Sequence, residues 1–170
     1  HVALSQTSYS CKSQIQLMQA KKIDFNTIVD IWQHKLWPDR ESAIEPMSAM
    51  TWPFEGDPQP INMSIFEFEP MFWGVYMDDK LVGVNSGHRT SAHQYRSRGI
   101  WVDPDYRGKG IANLLFCMLE NQAIIEGAEM IWSIPRKTAL PAYTKFGFMT
   151  VGDFLETETS DANIYAIKRI

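Results

Sequence analysis

The segment from Gly99 to Ile125 constrains this chain more than any other stretch, because it joins a short apolar strand to a long amphipathic helix through a glycine turn. Gly99-Ile-Trp-Val102 is apolar and β-prone, and Asp103-Pro-Asp105 stops it. Downstream, Ile111, Leu114, Leu115, Met118, Leu119 and Ile125 recur at helical spacing, which predicts a helix from Gly110 to about Glu126. The turn Arg107-Gly-Lys-Gly110 therefore stands where the first backbone N–H groups of that helix lack intrahelical partners. Such groups, together with the positive end of the helix dipole, attract phosphate oxygens. Glycines at 108 and 110 keep Cβ atoms out of the path of a diphosphate, while Arg107 and Lys109 add positive charge.

Two familiar phosphate motifs are excluded. A Walker A loop needs glycine where this chain has Asp103, and a Ser or Thr for magnesium where it has Gly110. A dinucleotide fingerprint would need three glycines opening a βαβ unit, with an acidic residue after its second strand. Arg107, Gly110 and Ala112 instead match the pattern Arg/Gln-x-x-Gly-x-Gly/Ala. Some thirty residues on, Met130-Ile-Trp-Ser-Ile134 makes a second apolar strand. The stretch Pro135 to Phe148 follows it, with Ala139, Tyr143, Gly147 and Phe148 at the positions of a second pattern, Asn-x-x-Ala-x-x-x-Tyr-x-x-x-Gly-Phe.

With both landmarks in order, the chain resembles the GNAT superfamily of N-acetyltransferases. Arg136 departs from the pattern, standing where many members carry Asn. The resemblance implies an α/β (α+β) fold: a mixed central sheet of about six or seven strands with helices on both faces. It also implies direct transfer of an acetyl group from acetyl-CoA to an amine. Trp101, Val102, the turn Arg107, Gly108, Lys109 and Gly110, then Ile111, Ala112 and Asn113 would hold the cosubstrate, with its pantetheine along the strand Gly99 to Val102 as that strand splays from its neighbour. Tyr143 would touch it as well, and would protonate the leaving thiolate. The N–H of Val102 would polarise the thioester carbonyl.

The proton that must leave the acceptor ammonium has no obvious destination. Many members carry a carboxylate on the strand entering the phosphate turn, whereas this chain has Tyr95-Arg-Ser-Arg-Gly99. Glu69 and His88 are the leading candidates, followed by Glu67 and His93, directly or through water. A fold-retaining module that binds coenzyme A without turnover is the alternative.

The pattern continues along the rest of the chain. Gln14 to Gln19 alternates like a first strand, and Asp24 caps a helix through about Leu36. Residues 38 to 70 hold six of the nine prolines, so apart from a helical turn or two at Ser42 to Met50 they read as irregular. Phe72–Met77 and Lys80–Asn85 form a hairpin around Asp78-Asp79, and Tyr95–Val102 is the next strand. After Met130–Ile134 comes a short helix from about Ala139 to Phe146, with Thr138 as N-cap and Gly147 as C-cap. Strands at Phe148–Phe154 and Ile164–Lys168 flank a polar turn at 156–161.

Composition sets outer limits. At 170 residues, with 45% hydrophobic and 21% charged, the chain reads as one globular domain over 1–170, and no apolar run reaches membrane-spanning length. No signal peptide is recognisable, and Cys11 and Cys117 make no disulfide framework, so a reducing cytoplasm is expected. No metal is expected, since His34, His88 and His93 lack ligand spacing. Neither a membrane nor a nucleic-acid partner is expected, and the protein should be a monomer or homodimer. Between Leu36 and Pro70, seven acidic residues face one basic residue, a local charge of −6 against −4 for the whole chain. With Trp37, Trp52, Phe54, Phe66 and Phe68 in the same segment, a cationic amine acceptor is the expectation.

Overall fold

The structure, a computed structural model, describes residues 2–3, 18–155 and 162–170. Its sheet has eight strands in the order β1-β2-β3-β4-β5-β6-β8-β7. The chain gathers into two compact units, the first His1–Ile44, Met71–Ser86 and Gly99–Met118, the second Glu45–Pro70, Gly87–Arg98 and Leu119–Ile170. Strands β4 (Lys80–Arg89) and β5 (Gln94–Val102) each run through both.

In the first unit, β2 (Met18–Lys22) pairs antiparallel with β3 (Met71–Met77), and the two-residue β1 (Val2–Ala3) adds to the other edge of β2. The expected first strand thus lies further along the chain, and residues 14–17 fall outside those described. Asp78 and Asp79 take φ of 50° and 63°, the left-handed pair that a two-residue hairpin between twisted strands demands. Asp24 caps α1 (Phe25–Ile31) by accepting from the Thr27 amide at 2.8 Å and hydroxyl at 2.7 Å. The helix then widens into a π-helical turn, Trp32–Leu36, closed by Trp37 N–H on the Trp32 carbonyl at 2.7 Å just before Pro38.

Helices cover both faces of this part of the sheet, and two adjacent residues show it. Val84 packs with Ile28 of α1 and Trp32 of the π-helical turn. Its neighbour Gly83 faces the other way, and a Cβ there would meet Ile111 at 2.6 Å and Leu115 at 3.3 Å, both on α2 (Ile111–Ile125). Ile111, Leu114, Leu115 and Leu119 are buried as their spacing predicts, but Ile125, counted on that face, is 75% exposed in the last turn.

In the second unit, β6 (Met130–Ser133) runs parallel to the start of β5 and antiparallel to β8 (Asn163–Arg169). Strand β7 (Met149–Leu155) pairs antiparallel with β8 as the edge strand. A single 3-10 turn, Lys137–Ala139, leads into α3 (Leu140–Phe146). Its N-cap is Ala139, without a side-chain bond, and not Thr138. Pro141 in the first turn supplies a preset φ instead. Gly147 at φ +114° ends the helix as expected. Trp52, Met130 and Trp132 form the core of this unit. Residues 42–50 are not helical: they run irregularly into a bridge between Met50 and Ile61, and the next helical turn along the chain is the 3-10 segment Met63–Glu67. Strand β4 runs on to Arg89, past the expected end at Asn85. The polar turn expected at 156–161 lies outside the described residues, as does Cys11.

Candidate functional site

In the first unit, Asp103 stops β5. Its Oδ1 accepts from the Asp105 amide at 3.0 Å, and Lys80 Nζ lies 3.3 Å from its Oδ2; these hydrogen bonds, first the backbone one, hold its carboxyl below the usual range. A 3-10 turn, Pro104–Tyr106, then delivers the chain to Arg107, which is extended and whose Nε donates to the Val102 carbonyl at 3.3 Å. Gly108 and Gly110 follow at φ +78° and +83°, and a Cβ on either would meet nothing within 4 Å. The glycines therefore do not serve protein packing. They permit a left-handed turn and leave open space in front of it. The first intrahelical bond of α2 is Leu114 N–H to Gly110 O at 3.0 Å, so the amides of Ile111, Ala112 and Asn113 precede it. Positive φ, an open face and leading amides make an anion cradle that fits the diphosphate of coenzyme A. The side chains of Trp101 and Ile111 are core, so these residues can serve a ligand only through their backbone.

The second unit holds Tyr143. Backbone pairing between β5 and β6 ends at Arg96↔Trp132, although β5 continues to Val102. At the end of that ladder the Ser133 hydroxyl donates to the Ser97 carbonyl at 2.8 Å, taking over from a backbone bond. The same oxygen lies 3.1 Å from the Tyr143 phenol. Tyr143 is 3% exposed, with its ring edge-on to Phe148 at 5.1 Å. Burial pushes its pKa up, while hydrogen bonding with Ser133 and Ser97 and the charge of Arg96 pull the other way. The phenol is thus neutral at physiological pH and able to give a proton.

The structure separates the candidate bases. Glu67 and Glu69 are exposed at the end of the 3-10 segment and just beyond it, and His93 is exposed with Nδ1 4.0 Å from Glu129. His88 is fully buried. Desolvation, then the charges of Arg96 and Arg98, lower its pKa to about 3, which the Ser48 backbone offsets only in part. Of the acidic segment's aromatic residues, Trp52 is core, Trp37 packs on Trp32 at 5.2 Å, and Phe68 lies under Arg89 at 4.5 Å. Its seven carboxylates are all exposed. Ser97, Ser133 and Arg96 escaped the sequence reading. Among the described residues no group of three or more His, Cys, Asp or Glu is placed to hold a metal, and no helix is long and apolar enough to cross a membrane.

The profile of the acetyltransferase (GNAT) family matches residues 30–148. An acetyltransferase of Pectobacterium atrosepticum is 27% identical over 135 residues, 75% of this chain and 83% of that protein. An aminoglycoside 6'-N-acetyltransferase complexed with coenzyme A superposes with a TM-score of 0.62 at 14% identity, covering 89% of this chain and 96% of that one. The ribosomal-protein-alanine N-acetyltransferase from Escherichia coli gives 0.57 at 14% identity, covering 90% and 94%. At these identities the two structures speak for the fold alone.

Proposed function

The chain belongs to the acetyltransferase (GNAT) family, and from that premise we propose that it moves the acetyl group of acetyl-CoA directly to an amine. The observation that carries this reading is the turn at Gly108 and Gly110, whose left-handed glycines open onto free space ahead of the α2 amides. Arg107, Lys109 and the amides of Ile111 to Asn113 bind the diphosphate. The coenzyme A in a structural relative of the same fold supports the choice of ligand.

In the reaction the amine nitrogen forms a bond to the thioester carbon, and the C–S bond breaks. Tyr143 gives its phenolic proton to the sulfur, which suits a buried, neutral phenol, and the N–H proton that the nitrogen loses as it becomes an amide restores the phenol. The acceptor must first lose a proton, since alkyl ammonium groups have pKa near ~10. We assign that proton to water, with Glu69 as the carboxylate that relays it. His88 is too weak a base at a pKa of about 3. The acceptor is a small amine or the amine of a lysine or peptide, and the −6 charge between Leu36 and Pro70 favours an ammonium. The fold itself does not choose among acceptors: the two structural relatives above are named for an aminoglycoside and a protein alanine. A thiol-release assay with acetyl-CoA over an amine panel tests the reading. Binding of acetyl-CoA with no release on any amine would leave a coenzyme A-binding module in its place.

A further inference from the structure

Arg96 is the least satisfied charge among the described residues. It is 8% exposed, yet its Nε and Nη1 have no hydrogen-bond partner. Its guanidinium carbon lies 5.0 Å from the centre of the Trp132 ring, and the groups that act on it electrostatically are two phenols, Tyr165 and Tyr143, not a carboxylate. Burying an ion without a counterion is costly, and a cation–π contact offsets only part of that cost. Burial lowers the pKa of Arg96 only to about 10, so it keeps its charge at neutral pH.

Two further nitrogen-bearing side chains are buried nearby. Arg98, two residues along β5 and so on the same side of the strand, is 7% exposed and donates Nη1–H to a neutral acceptor, the Glu45 carbonyl, at 2.8 Å. His88 is buried with neither ring nitrogen in a well-formed hydrogen bond, and the two arginines help to hold it uncharged. A buried guanidinium with orphaned donors, as at Arg96, gains most when an anion completes it. The glycine turn already supplies donors for the diphosphate of coenzyme A. Arg96 instead acts on the phenol of Tyr143, the proposed proton donor.

We propose that Arg96, with Arg98 and His88 beside it, binds a carboxylate carried by the acceptor, so that the amine acetylated is an amino acid or another amine bearing a carboxylate. A guanidinium N–H makes a charge-assisted hydrogen bond to a carboxylate oxygen, and the Trp132 ring packs against Arg96. The inference rests on the acetyl-transfer reading for the amine, but the anion site itself does not.

The test uses matched acceptors with and without a carboxylate: phenylalanine and phenethylamine, lysine and cadaverine, alanine and ethylamine. At saturating acetyl-CoA, kcat/KM should favour the carboxylate member by about tenfold or more, the effect of one charge-assisted contact. Arg96→Gln should erase that preference through KM for the amine and leave KM for acetyl-CoA unchanged. Equal use of both members, or a preference that survives in Arg96→Gln, overturns the proposal. If no amine is acetylated, the transfer reading fails and binding decides the site: N-acetylphenylalanine, N-acetyllysine or N-acetylalanine should bind the wild type by calorimetry and not Arg96→Gln, and binding of none of them overturns it. Arg96→Met separates this role from a structural one, because removing an uncompensated buried charge should hold or raise Tm. A fall in Tm would make Arg96 a structural residue and sink the idea.

Discussion

The Ser133 hydroxyl lies 3.1 Å from the phenol oxygen of Tyr143 and points its single hydrogen at the Ser97 carbonyl. With the Ser133 hydrogen given to the Ser97 carbonyl, the Ser133 oxygen is left to accept from Tyr143, and in the proposed reaction the departing thiolate competes for that phenolic proton. Tyr143→Phe should lower kcat by roughly 10²–10⁴-fold, the usual loss when general acid assistance goes, with little change in acetyl-CoA affinity. Ser133→Ala should cost far less, because the acid survives while its alignment is lost. Steady-state kinetics of the two variants, with calorimetry for binding, checks the ranking. An unchanged kcat in Tyr143→Phe would mean that water protonates the sulfur.

The glycine turn makes a separate prediction. At Gly110, φ is +83° and the space around a Cβ is open, so Gly110→Val costs the fold only backbone strain of about 1–2 kcal/mol. The added side chain would stand in front of the α2 amides, where the diphosphate must approach. Calorimetry should show acetyl-CoA binding weakened about tenfold or more, while circular dichroism stays native. Tight binding by this variant would move the diphosphate off the turn.

What could be read in advance follows a physical divide. Helix α2, the hairpin at Asp78-Asp79, Gly147 as a C-cap and the glycine turn were legible because periodicity and turn chemistry are local. The π-helical turn at Trp32–Leu36 was not, since Trp32 is held there by a contact with a strand 67 residues away in sequence. The burial of His88, Arg96 and Arg98 was missed for a related reason. Charged residue types argue for a surface, and only the interior place of β4 and β5 in the sheet, with Arg96 paired to the sequence-distant Trp132 of β6, puts them inside. One signal was present: Arg96-Ser-Arg98 alternates on a strand, which puts both guanidinium groups on one side.

Gly99 offers a test of that long-range contact. It takes φ +79° inside β5, and a Cβ there would lie 2.4 Å from Trp32 Nε1, the atom that donates to the Gly99 carbonyl at 2.8 Å. Gly99→Ala should therefore destabilise by about 3 kcal/mol or more, from backbone strain and the displaced indole together. Gly56→Ala, at φ +69° with nothing within 4 Å, should cost only about 1 kcal/mol. Urea denaturation of the pair distinguishes clash from strain, and equal losses would remove the clash.

His88 predicts a pH dependence of stability. Its pKa falls from 6.5 unfolded to about 3 folded, so below pH 6.5 the unfolded chain takes up a proton that the folded protein refuses. Stability is thus fully present above 6.5 and lost as pH falls towards 3, at about 1.4 kcal/mol per pH unit from this group. Between pH 7 and pH 5 the wild type should lose roughly 2 kcal/mol more than His88→Gln in urea denaturation. Parallel curves for the two proteins would show that His88 is protonated or exposed in the native state.

The acidic segment calls for a test that separates long-range charge from local recognition. Glu67 and Glu69 are exposed, so the attraction they exert on a charged acceptor acts through solvent and fades as the Debye length shrinks, to ~10 Å at 0.1 M salt. Glu67→Lys with Glu69→Lys should raise KM for cadaverine several-fold and leave KM for acetyl-CoA nearly unchanged, because a diamine carries net positive charge to that field. Added salt should raise the wild-type KM for cadaverine in the same way. For phenylalanine, a zwitterion without net charge, KM should respond to neither the double reversal nor salt, since its recognition would lie with the buried Arg96, while the loss of the Glu69 relay should lower kcat for both acceptors. If cadaverine is also indifferent to both, the −6 charge between Leu36 and Pro70 is a solvated surface with no part in choosing the acceptor.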